Sequence, residues 1–481
     1  MLTAVKKLIP KKLFKIISPA YHFLLSFLAA FIYGFPSRRL IVIGVTGTAG
    51  KTSTAYLIAK MLADAGYKTG MTSTTIFSDG EKEWLNDKKM TMPGRFFIQK
   101  LLKLMSKNSC VYAVIETTSE GIKQFRHRFI NYDTILFTGL YPEHIESHGS
   151  FEKYKEAKGR LFAHLKKCGV KHLDENKKVV KPGSQLKKLD FKRLDKTIIV
   201  NGDDAEAEYF LNFWSETKII CSLEHKINSE IFSVSLKEKI KPENLSHDLS
   251  FVFGSEVLAS AEGTSLIINN EKINLQLLGD FNAKNALNAY AVGLSQGLDK
   301  NQIKAGLESV RTLAGKLEMI NVGQDFKAVV DYSFEPKALE NLYKIIDLIP
   351  HNRLIHLLGS TGGGRDKARR PILGALAGKK ADIIVVSNED PYDEEPAGII
   401  NEVARGAELA GKELGKNLFK VLERRDGIKK ALELAEKDDL VLFTGKGAEQ
   451  FICLEDGKKI PWNETEVVKE LVVEKMCIDK R

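Results

Sequence analysis

The stretch LIVIGVTGTAGKT at residues 40–52 decides the fold, because a short β-branched run leads directly into a glycine loop. Residues 53–65 then show the apolar spacing of an amphipathic helix, so the order is strand, loop, helix. In such a loop, glycines let backbone N–H groups point at phosphate, a lysine supplies charge and a threonine hydroxyl reaches magnesium. The predicted nucleotide-binding residues are Gly47, Thr48, Gly50, Lys51, Thr52 and Ser53.

The loop departs from the strict GxxxxGK[ST] pattern, because Val45 stands where the first glycine is expected. The alternative interpretation is a glycine-rich turn that merely precedes a lysine. The strand before the loop and the helix after it favour a nucleotide site. The loop by itself indicates a nucleotide and leaves the reaction open.

Apolar runs recur along the chain and alternate with helical stretches, which indicates βαβ units and a parallel sheet. Between about residues 220 and 275 the pattern changes to short alternating strands such as FSVSL at 232–236, which predicts a β-rich edge. A second series of strands and helices follows LAGK at 313–316. The runs lie at 111–115, 134–137 and 198–200 in the first series and at 328–330, 354–358, 383–386 and 440–443 in the second.

The predicted fold class is therefore α/β, with three parts. Residues 1–39 form a basic and apolar N-terminal segment. Residues 40–313 form a P-loop-type central ATPase domain with a mostly parallel sheet, and residues 314–481 form a C-terminal Rossmann-like α/β domain.

The formal charge of +10 is concentrated at one end of the 481-residue chain. The remainder is only mildly basic and has no basic stretch interleaved with aromatic residues, so nucleic-acid binding is not predicted. The five cysteines are scattered without a CxxC pair, which indicates neither a disulfide framework nor a zinc knuckle and fits a reducing cytoplasm. Residues 1–40 hold no Asp or Glu and seven cations: Lys6, Lys7, Lys11, Lys12, Lys15, Arg38 and Arg39.

The N-terminal segment combines a basic stretch with a mostly apolar run at 16–33. A signal peptide would show this order, but the nucleotide loop that follows disfavours export. The run is slightly short and too polar for a spanning helix. Two alternatives stay open: a helix packed on the following domain, or a contact of residues 1–35 with the anionic inner face of the membrane. We expect a cytoplasmic protein in either case.

Polar side chains follow two further strands. Glu116 ends the run VYAVIE at 111–116, at the sheet edge where the glycine loop is also expected, so it is a candidate magnesium ligand. The segment FTGLYPEHIESHGS at 137–150 carries His144 and His148, and an imidazole there is suited to hold a second metal. The alternatives are that Glu116 is an ordinary solvated acid at the end of a strand, and that the histidines simply lie on the surface. The lysines of FEKYKEAKGRLF at 151–162 would by themselves indicate a solvated helix face.

Several blocks in this order resemble the Mur ligases, and among them the UDP-N-acetylmuramyl-tripeptide synthetases of MurE type. The resemblance runs from about residue 40 to the end of the sequence. The first blocks are GTAGKT, IETTS at 115–119, residues 137–162, NGDD at 201–204 and LLGDFNAKNALNAY at 277–290. The later blocks are VDYSFEPKALENL at 330–342, LLGSTGGGRDKARRPILG at 357–374 and GKGAE at 445–449.

The resemblance implies an ATP-dependent ligase that joins a carboxylate to the amine of an amino acid. ATP phosphorylates the carboxylate, the amine attacks the acyl phosphate, and an amide, ADP and phosphate result. The implied cofactors are ATP and Mg²⁺, and the implied partners are a UDP-MurNAc-dipeptide-type precursor and an amino acid. The implied process is peptidoglycan biosynthesis, and with it cell shape and cell division.

The resemblance also implies residue roles. Lys158 matches a lysine that family members carry as a carbamate, which turns a cation into an anionic metal ligand. The implied catalytic residues are Lys51, Glu116, His144 and Lys158, and the implied metal ligands are Thr52, Glu116, His144 and Lys158. Asn282 and Asn285 match positions near the nucleotide, and Asp331 and Arg365 match residues of the C-terminal domain that close over it.

The chain departs from the family at the acceptor end. Only about forty residues precede the glycine loop, so the N-terminal domain that holds the uridine nucleotide in the family is expected to be missing. The acceptor would then be held by Thr91, Pro93 and their neighbours in NDKKMTMPGR, by a partner, or in a lipid-linked form.

A second departure concerns the amino acid. The signature DNPR of diaminopimelate enzymes is replaced by EDPY at 389–392, and tyrosine cannot clamp a carboxylate as arginine does. The acidic loop favours an amino acid with a distal cation, such as lysine or ornithine, unless these acids are simply solvated. Phe334 and Ala448 replace two family histidines, but Glu449 remains and, with Asp390, is a predicted substrate-binding residue.

Two competing functions stay open. One is another ligase of the superfamily, similar to a folylpolyglutamate synthetase. The other is a membrane-docked P-loop ATPase that acts as a switch, which the basic N-terminus would suit. A switch would hydrolyse ATP without a carboxylate acceptor, whereas a ligase would need both acceptor and amino acid.

Overall fold

The computed structural model describes residues 11–142, 148–180, 191–223, 240, 248–364 and 367–479, with side chains from residue 17 onward. This part of the chain forms two α/β units, each built around its own sheet. The first unit is preceded by helix α1 (Lys11–Ile32) and a short 3-10 helix (Pro36–Arg39). No helix within the described ranges combines the length and apolar character needed to span a membrane.

The first sheet has eleven strands in the described residues. They are β1 (Ile41–Thr46), β2 (Thr69–Thr72), β3 (Ile76–Ser78), β4 (Glu83–Leu85), β5 (Tyr112–Glu116), β6 (Thr134–Phe137), β9 (Thr197–Asn201), β10 (Thr217–Ser222), β11 (Asp248–Ala259), β12 (Thr264–Ile268) and β13 (Glu271–Leu275). Their spatial order is β13, β12, β11, β10, β9, β6, β1, β5, β2, β3, β4. Two further strands, β7 (Lys171–Leu173) and β8 (Lys192–Leu194), pair with each other.

Strand β1 is central and pairs in parallel with β5 and β6. All residues of these three strands are buried. Ile41, Ile43 and Val45 belong to the hydrophobic core on one face of the sheet, whereas Val42 belongs to the core on the other. Burial on both faces explains why the strands are continuous apolar runs.

The sequence correctly predicts the mostly parallel sheet and the change at its edge. Strands β11 to β13 pair antiparallel, as the alternating pattern before residue 275 indicates. The quoted strand FSVSL at 232–236 lies outside the described residues.

Helices cover both faces of this sheet. Leu57 of the helix after β1 meets Ala286 and Tyr290 in one core, and Leu102 meets Phe162 in the other. The helices of this unit are α2 (Lys51–Asp64), α3 (Arg95–Lys107), α4 (Ser119–Lys123), α5 (Phe151–Leu165), α6 (Ala207–Leu211), α7 (Phe281–Ser295) and α8 (Lys300–Glu308).

The second sheet has six strands in the described residues, in the order β14, β15, β19, β16, β17, β18. They are β14 (Glu318–Ile320), β15 (Lys327–Asp331), β16 (Leu354–Leu358), β17 (Ile383–Ser387), β18 (Leu418–Val421) and β19 (Leu440–Thr444). Only β14 pairs antiparallel among them. The sheet is therefore the mostly parallel, Rossmann-like one that the sequence predicts.

This second sheet is also covered on both faces. Its helices are α9 (Pro336–Ile346), α10 (Arg369–Lys380), α11 (Pro396–Leu409), α12 (Arg424–Glu433) and α13 (Glu464–Asp479). A hairpin of β20 (Phe451–Cys453) and β21 (Lys459–Pro461), joined through a 3-10 turn (Glu455–Gly457), follows β19. Ligands of such sheets bind beyond the carboxyl ends of the parallel strands, which for β15 and β19 are Asp331 and Thr444.

Candidate active site

The glycine loop joins β1 to α2, and two of its positions require glycine. Gly50 has a left-handed backbone, with φ of 76°, and a Cβ there would lie 2.5 Å from Oδ1 of Asn285. A Cβ at Gly47 would lie 2.1 Å from Oγ1 of Thr138. The side chains of neighbouring segments thus approach the loop backbone as closely as glycine permits.

The loop is also held from the side by the segment after β6. The backbone N–H of Thr48 donates to the carbonyl of Gly139 at 2.8 Å, and Oγ1 of Thr138 donates to the carbonyl of Ala49 at 2.6 Å. Val45, which replaces the first glycine of the strict motif, lies within β1 and is fully buried. The departure from the strict motif therefore falls within strand β1 and not in the loop itself.

Glu116 is the centre of the predicted metal site. Its carboxylate is buried at the end of β5, where Oε2 accepts hydrogen bonds from Oγ1 of Thr52 at 3.0 Å and from the backbone N–H of Thr74 at 2.8 Å. Oγ1 of Thr74 lies 2.8 Å from Oγ1 of Thr91. The structure thus connects the phosphate loop, Glu116 and the predicted acceptor residue Thr91 through adjacent hydrogen bonds.

Lys158 lies on the inner face of α5 and is buried, so the solvated helix face suggested by its neighbouring lysines is wrong at this position. Its Nζ donates to the carbonyl of Gly47 at 2.6 Å and lies 4.6 Å from the centre of the Tyr154 ring. The Tyr154 hydroxyl lies 3.1 Å from Oγ1 of Thr48. Lys158 therefore contacts the phosphate loop directly.

Lys51 begins α2, and its Nζ donates to the carbonyl of Thr48 at 2.7 Å across the loop. Thr52 and Glu116 offer oxygen atoms, which are the ligands that Mg²⁺ prefers, so these residues fit a magnesium ion. An ammonium group at Lys158 would repel that ion, whereas a carbamate there would bind it.

His144 and Arg365 lie outside the described residues. The other histidine of the same segment, His148, is described: its Nε2 lies 3.1 Å from Oγ of Ser119, and its ring packs against Tyr154. His148 therefore lies between α4 and α5, at one side of the site.

Asn282 and Asn285 lie on the first turns of α7 and are both buried. Oδ1 of Asn285 accepts from Oγ1 of Thr54, at 3.2 Å, and its Nδ2 donates to Oδ1 of Asn282 at 2.9 Å. Because Asn285 also approaches Gly50, the start of α7 lies against the phosphate loop; the contact of these asparagines with the nucleotide remains a prediction.

Asp331 ends β15, but its carboxylate binds the segment that leads into the second unit. It accepts from the backbone N–H of Leu317 at 2.8 Å and from the N–H and hydroxyl of Ser333 at 2.7 and 2.5 Å. Its predicted contact with the nucleotide remains a prediction.

Asp390 and Glu449 lie together across the cleft from Thr91. Nζ of Lys446 lies 3.1 Å from Asp390 Oδ1 and 2.6 Å from Glu449 Oε2. Burial by itself would raise the pKa of Asp390, but Lys446 and Lys89 outweigh it and hold that pKa below its ordinary value. The cluster therefore presents two carboxylates that already bind ammonium groups.

Lys89 belongs to this cluster, although the sequence gives it no role. It lies on the loop between β4 and α3, and its Nζ reaches Asp390 Oδ2 at 2.7 Å and Glu449 Oε2 at 3.0 Å. Its side chain is only 9% exposed. The one available signal is its position in NDKKMTMPGR, two residues before Thr91.

A small cavity of about 60 Å³ lies beside this bridge. Thr74, Asn86 and Thr91 line it from the first unit, and Tyr332 and Ala448 line it from the second. The cavity therefore lies in a cleft between the two units beside the carboxylate cluster, and hydrogen bonds from Thr74 to Glu116 and from Thr52 to Glu116 connect it to the phosphate loop. Pro93, the other predicted acceptor residue, is buried two residues beyond Thr91.

The arrangement defines a class of protein: an ATP-dependent ligase of two α/β domains, with a phosphate loop and its buried carboxylate in the first and a carboxylate cluster in the second, bridged by Lys89. The chain matches the Mur ligase middle domain over residues 45–191 and the Mur ligase glutamate ligase domain over residues 315–447. It belongs to the Mur ligase family.

Named proteins that are similar to this chain support the family assignment. The UDP-N-acetylmuramyl-tripeptide synthetase of Roseiflexus sp. (strain RS-1) is 32% identical, over 93% of this chain and 81% of the relative. The UDP-N-acetylmuramoyl-L-alanyl-D-glutamate–2,6-diaminopimelate ligase of Clostridium tetani is 29% identical, over 92% of this chain and 79% of the relative.

The fold alone is shared more widely. The structure of Mycobacterium tuberculosis folylpolyglutamate synthase complexed with ADP superposes with a TM-score of 0.58 at 15% identity, over 87% of this chain and 90% of that one. The architecture therefore does not separate these two kinds of ligase, and sequence similarity does.

Proposed function

We propose that this chain adds an amino acid to a UDP-MurNAc-dipeptide-type precursor in an ATP-dependent reaction. The observation that carries the proposal is that Glu116 and Lys158 contact the phosphate loop, while Lys89 of the same domain binds the second domain's carboxylates Asp390 and Glu449. The names of the relatives, tripeptide synthetase and diaminopimelate ligase, support the acceptor and the type of bond.

The reaction follows from the chemistry of the two sides of this cleft. The loop N–H groups and Lys51 bind the ATP phosphates, and the acceptor carboxylate attacks the terminal phosphorus, which yields an acyl phosphate and ADP. The amine of the amino acid then attacks the acyl carbon, phosphate leaves with the bonding electrons, and the amine loses a proton. Mg²⁺ held by Thr52 and Glu116 would neutralise phosphate charge. Contact between the two domains excludes water, which would otherwise hydrolyse the acyl phosphate.

Lys158 takes part as a carbamate in this proposal. Its ammonium group first loses a proton, the neutral amine adds to CO₂, and the carbamic acid that forms loses a second proton, so the side chain changes from cationic to anionic. The position of its Nζ beside the Gly47 carbonyl, within the wall of the phosphate site, supports the proposal. An anion there would complete a metal site with Glu116 and, by family resemblance, His144.

The amino acid binds at Asp390 and Glu449 and carries a distal ammonium group, as lysine and ornithine do. The ammonium groups of Lys89 and Lys446 that already lie against these carboxylates support this assignment. Tyr392, which stands where diaminopimelate enzymes carry arginine, cannot form the paired hydrogen bonds that a distal carboxylate needs.

The test supplies the purified protein with UDP-MurNAc-L-Ala-D-Glu, ATP and, in separate reactions, lysine, ornithine, meso-diaminopimelate or no amino acid. We expect an amide product with lysine or ornithine, and ADP release that depends on both acceptor and amino acid. ADP release that is independent of the acceptor would instead support the P-loop switch. A further reaction supplies a folate, glutamate and ATP, and product formation in that reaction alone would support the folylpolyglutamate synthetase alternative.

We place this reaction in the cytoplasm, where ATP is available. The described side chains of residues 17–35, part of the candidate contact with the inner face of the membrane, do not line the cavity between the two units.

A further inference from the structure

Helix α1 exposes an entirely apolar face. Between residues 17 and 32, every side chain that the structure leaves exposed is apolar. Leu24 and Phe31 are each 63% exposed and Ile32 is 58% exposed. The exposed residues are Ile17, Pro19, Ala20, Phe23, Leu24, Phe27, Leu28, Phe31 and Ile32.

The opposite face of the helix packs on the first domain, so the orientation of the apolar face is defined. Ala29 and Ala30 are fully buried, and Nδ1 of His22 lies 2.8 Å from a terminal nitrogen of Arg95 on α3. At the border of the exposed face, Phe23, which is 44% exposed, makes an edge contact with Phe129 at 5.2 Å between ring centres. The helix is therefore attached to the domain along one side only.

The exposed side chains form a continuous surface. Ile17, Leu24, Leu28 and Phe31 are spaced by seven, four and three residues, which places them on one side of the helix over about 21 Å at 1.5 Å per residue. Single exposed apolar residues are ordinary, whereas a continuous row of this kind marks an interaction site.

The charges that flank this row identify the partner. Arg38 and Arg39, just beyond the helix, are exposed, and Lys11, Lys12 and Lys15 lie at its N-terminal end in the sequence. Because residues 1–40 contain no acid, a second copy of this face would meet cations with cations. A bilayer with anionic headgroups instead accepts both the apolar row and the cations at its two ends.

We propose that α1 docks the protein on an anionic membrane, with its axis in the plane of the interface. Leu24, Leu28 and Phe31 enter the boundary between headgroups and acyl chains, while the flanking cations contact the lipid phosphates. The docking does not depend on the ligase reaction, because Leu24, Leu28 and Phe31 do not line the cavity between the two units.

The experiment measures flotation of the full-length protein with two kinds of vesicle: phosphatidylglycerol mixed equally with phosphatidylcholine, and phosphatidylcholine alone. We expect binding to the anionic vesicles that weakens as salt is raised. The triple variant Leu24→Gln, Leu28→Gln, Phe31→Gln should lose at least tenfold in partition coefficient. A matched triple variant at exposed apolar positions of the second domain, Leu409→Gln, Leu422→Gln, Ile460→Gln, should bind as the unmodified protein does.

The melting temperature and the rate of ATP turnover in solution show whether the variants are folded. We expect both quantities to equal those of the unmodified protein. The proposal is overturned if anionic vesicles do not bind the protein, if neutral vesicles bind it equally well, or if the α1 variant binds like its control. Light scattering provides a further test, because a dimer that dissociates in the α1 variant would show that a second copy covers this face instead.

Discussion

Lys158 is buried beside the phosphate loop although the letters around it, FEKYKEAKGRLF, are typical of a solvated helix face. Tyr154 precedes it by one helical turn on the same inward side, and its hydroxyl also reaches the loop. At the scale of the single residue, the chemistry therefore depends on which side of α5 a lysine occupies.

We expect Lys158→Ala to lower the rate of ligation by at least about 100-fold, because the anionic metal ligand is lost. Added short-chain carboxylic acid should restore part of the activity by occupying the vacated space. The measurement is product formation with and without the acid. Lys51→Ala is the control and should not be restored, because a carboxylate cannot replace a cation; full activity in Lys158→Ala would exclude the carbamate.

Glu389 gives the protein a pH-dependent stability. It is 3% exposed, and burial raises its pKa to about 7, with Asp390 adding to the effect and Arg424 opposing it. Above the ordinary value of 4.5, the unfolded carboxyl ionises while the folded one stays protonated until about pH 7. Ionisation therefore favours unfolding across this window.

We expect the free energy of unfolding to fall by about 1–3 kcal/mol between pH 5 and pH 7.5 on account of this group. In Glu389→Gln the fall should be smaller, because the amide does not ionise. Denaturant titrations at several pH values measure the difference, with Glu408→Gln, at an exposed position of the same domain, as the control. Identical pH profiles for Glu389→Gln and the unmodified protein would contradict the prediction.

At the scale of the element, the loop between β4 and α3 joins the two domains. Lys89 has a left-handed backbone, with φ of 50°, and extends its ammonium group to Asp390 and Glu449 of the second domain. These are the carboxylates that we assign to the incoming amino acid. An ammonium group of the protein itself therefore competes with the substrate for the same partners.

We expect Lys89→Met to lower KM for the amino acid by about threefold to tenfold, a difference on the order of 1 kcal/mol, with a small effect on kcat. Lys88→Met is the matched control, because Lys88 is 39% exposed and pairs with Asp87 instead. Initial rates at varied amino-acid concentration measure both constants. A higher KM in Lys89→Met would show that Lys89 assists substrate binding rather than competing with it.

At the scale of the whole molecule, the chain enters the second domain at Gly315, which packs closely on the loop after β19. The backbone of Gly315 is left-handed, with φ of 65°, and a Cβ there would lie 2.1 Å from the backbone nitrogen of Ala448. Ala448 and Glu449 line the cavity between the two units, so a side chain at Gly315 would displace residues of the candidate amino-acid site.

We expect Gly315→Ala to lower kcat by about tenfold and to destabilise the protein by about 1–3 kcal/mol, through both strain and overlap. Gly297→Ala is the control for backbone strain without overlap, because Gly297 has φ of 72° and no atom lies within 4 Å of the added Cβ. Ligation rates and thermal unfolding of the two variants provide the comparison. Equal losses of kcat in both would contradict a role for the contact between Gly315 and Ala448.

The sequence by itself determined the parts of the protein that depend on neighbours along the chain. The β-branched runs, glycine loop and helical periodicity predicted two α/β units and their parallel sheets, because strand, loop and helix signals are local. The position of Glu116 near the loop was also predictable, because parallel strands end at one edge of the sheet. The positions of Asn282 and Asn285 followed from the resemblance of LLGDFNAKNALNAY to the family.

Only the tertiary structure decided which distant residues meet. Lys89 and Asp390 are separated by 301 positions, and no local pattern relates them. Likewise, α1 exposes an apolar face because its other side packs on the first domain, at contacts such as that between His22 and Arg95. Such contacts depend on how complete elements pack, and packing is a property of the whole chain rather than of any window within it.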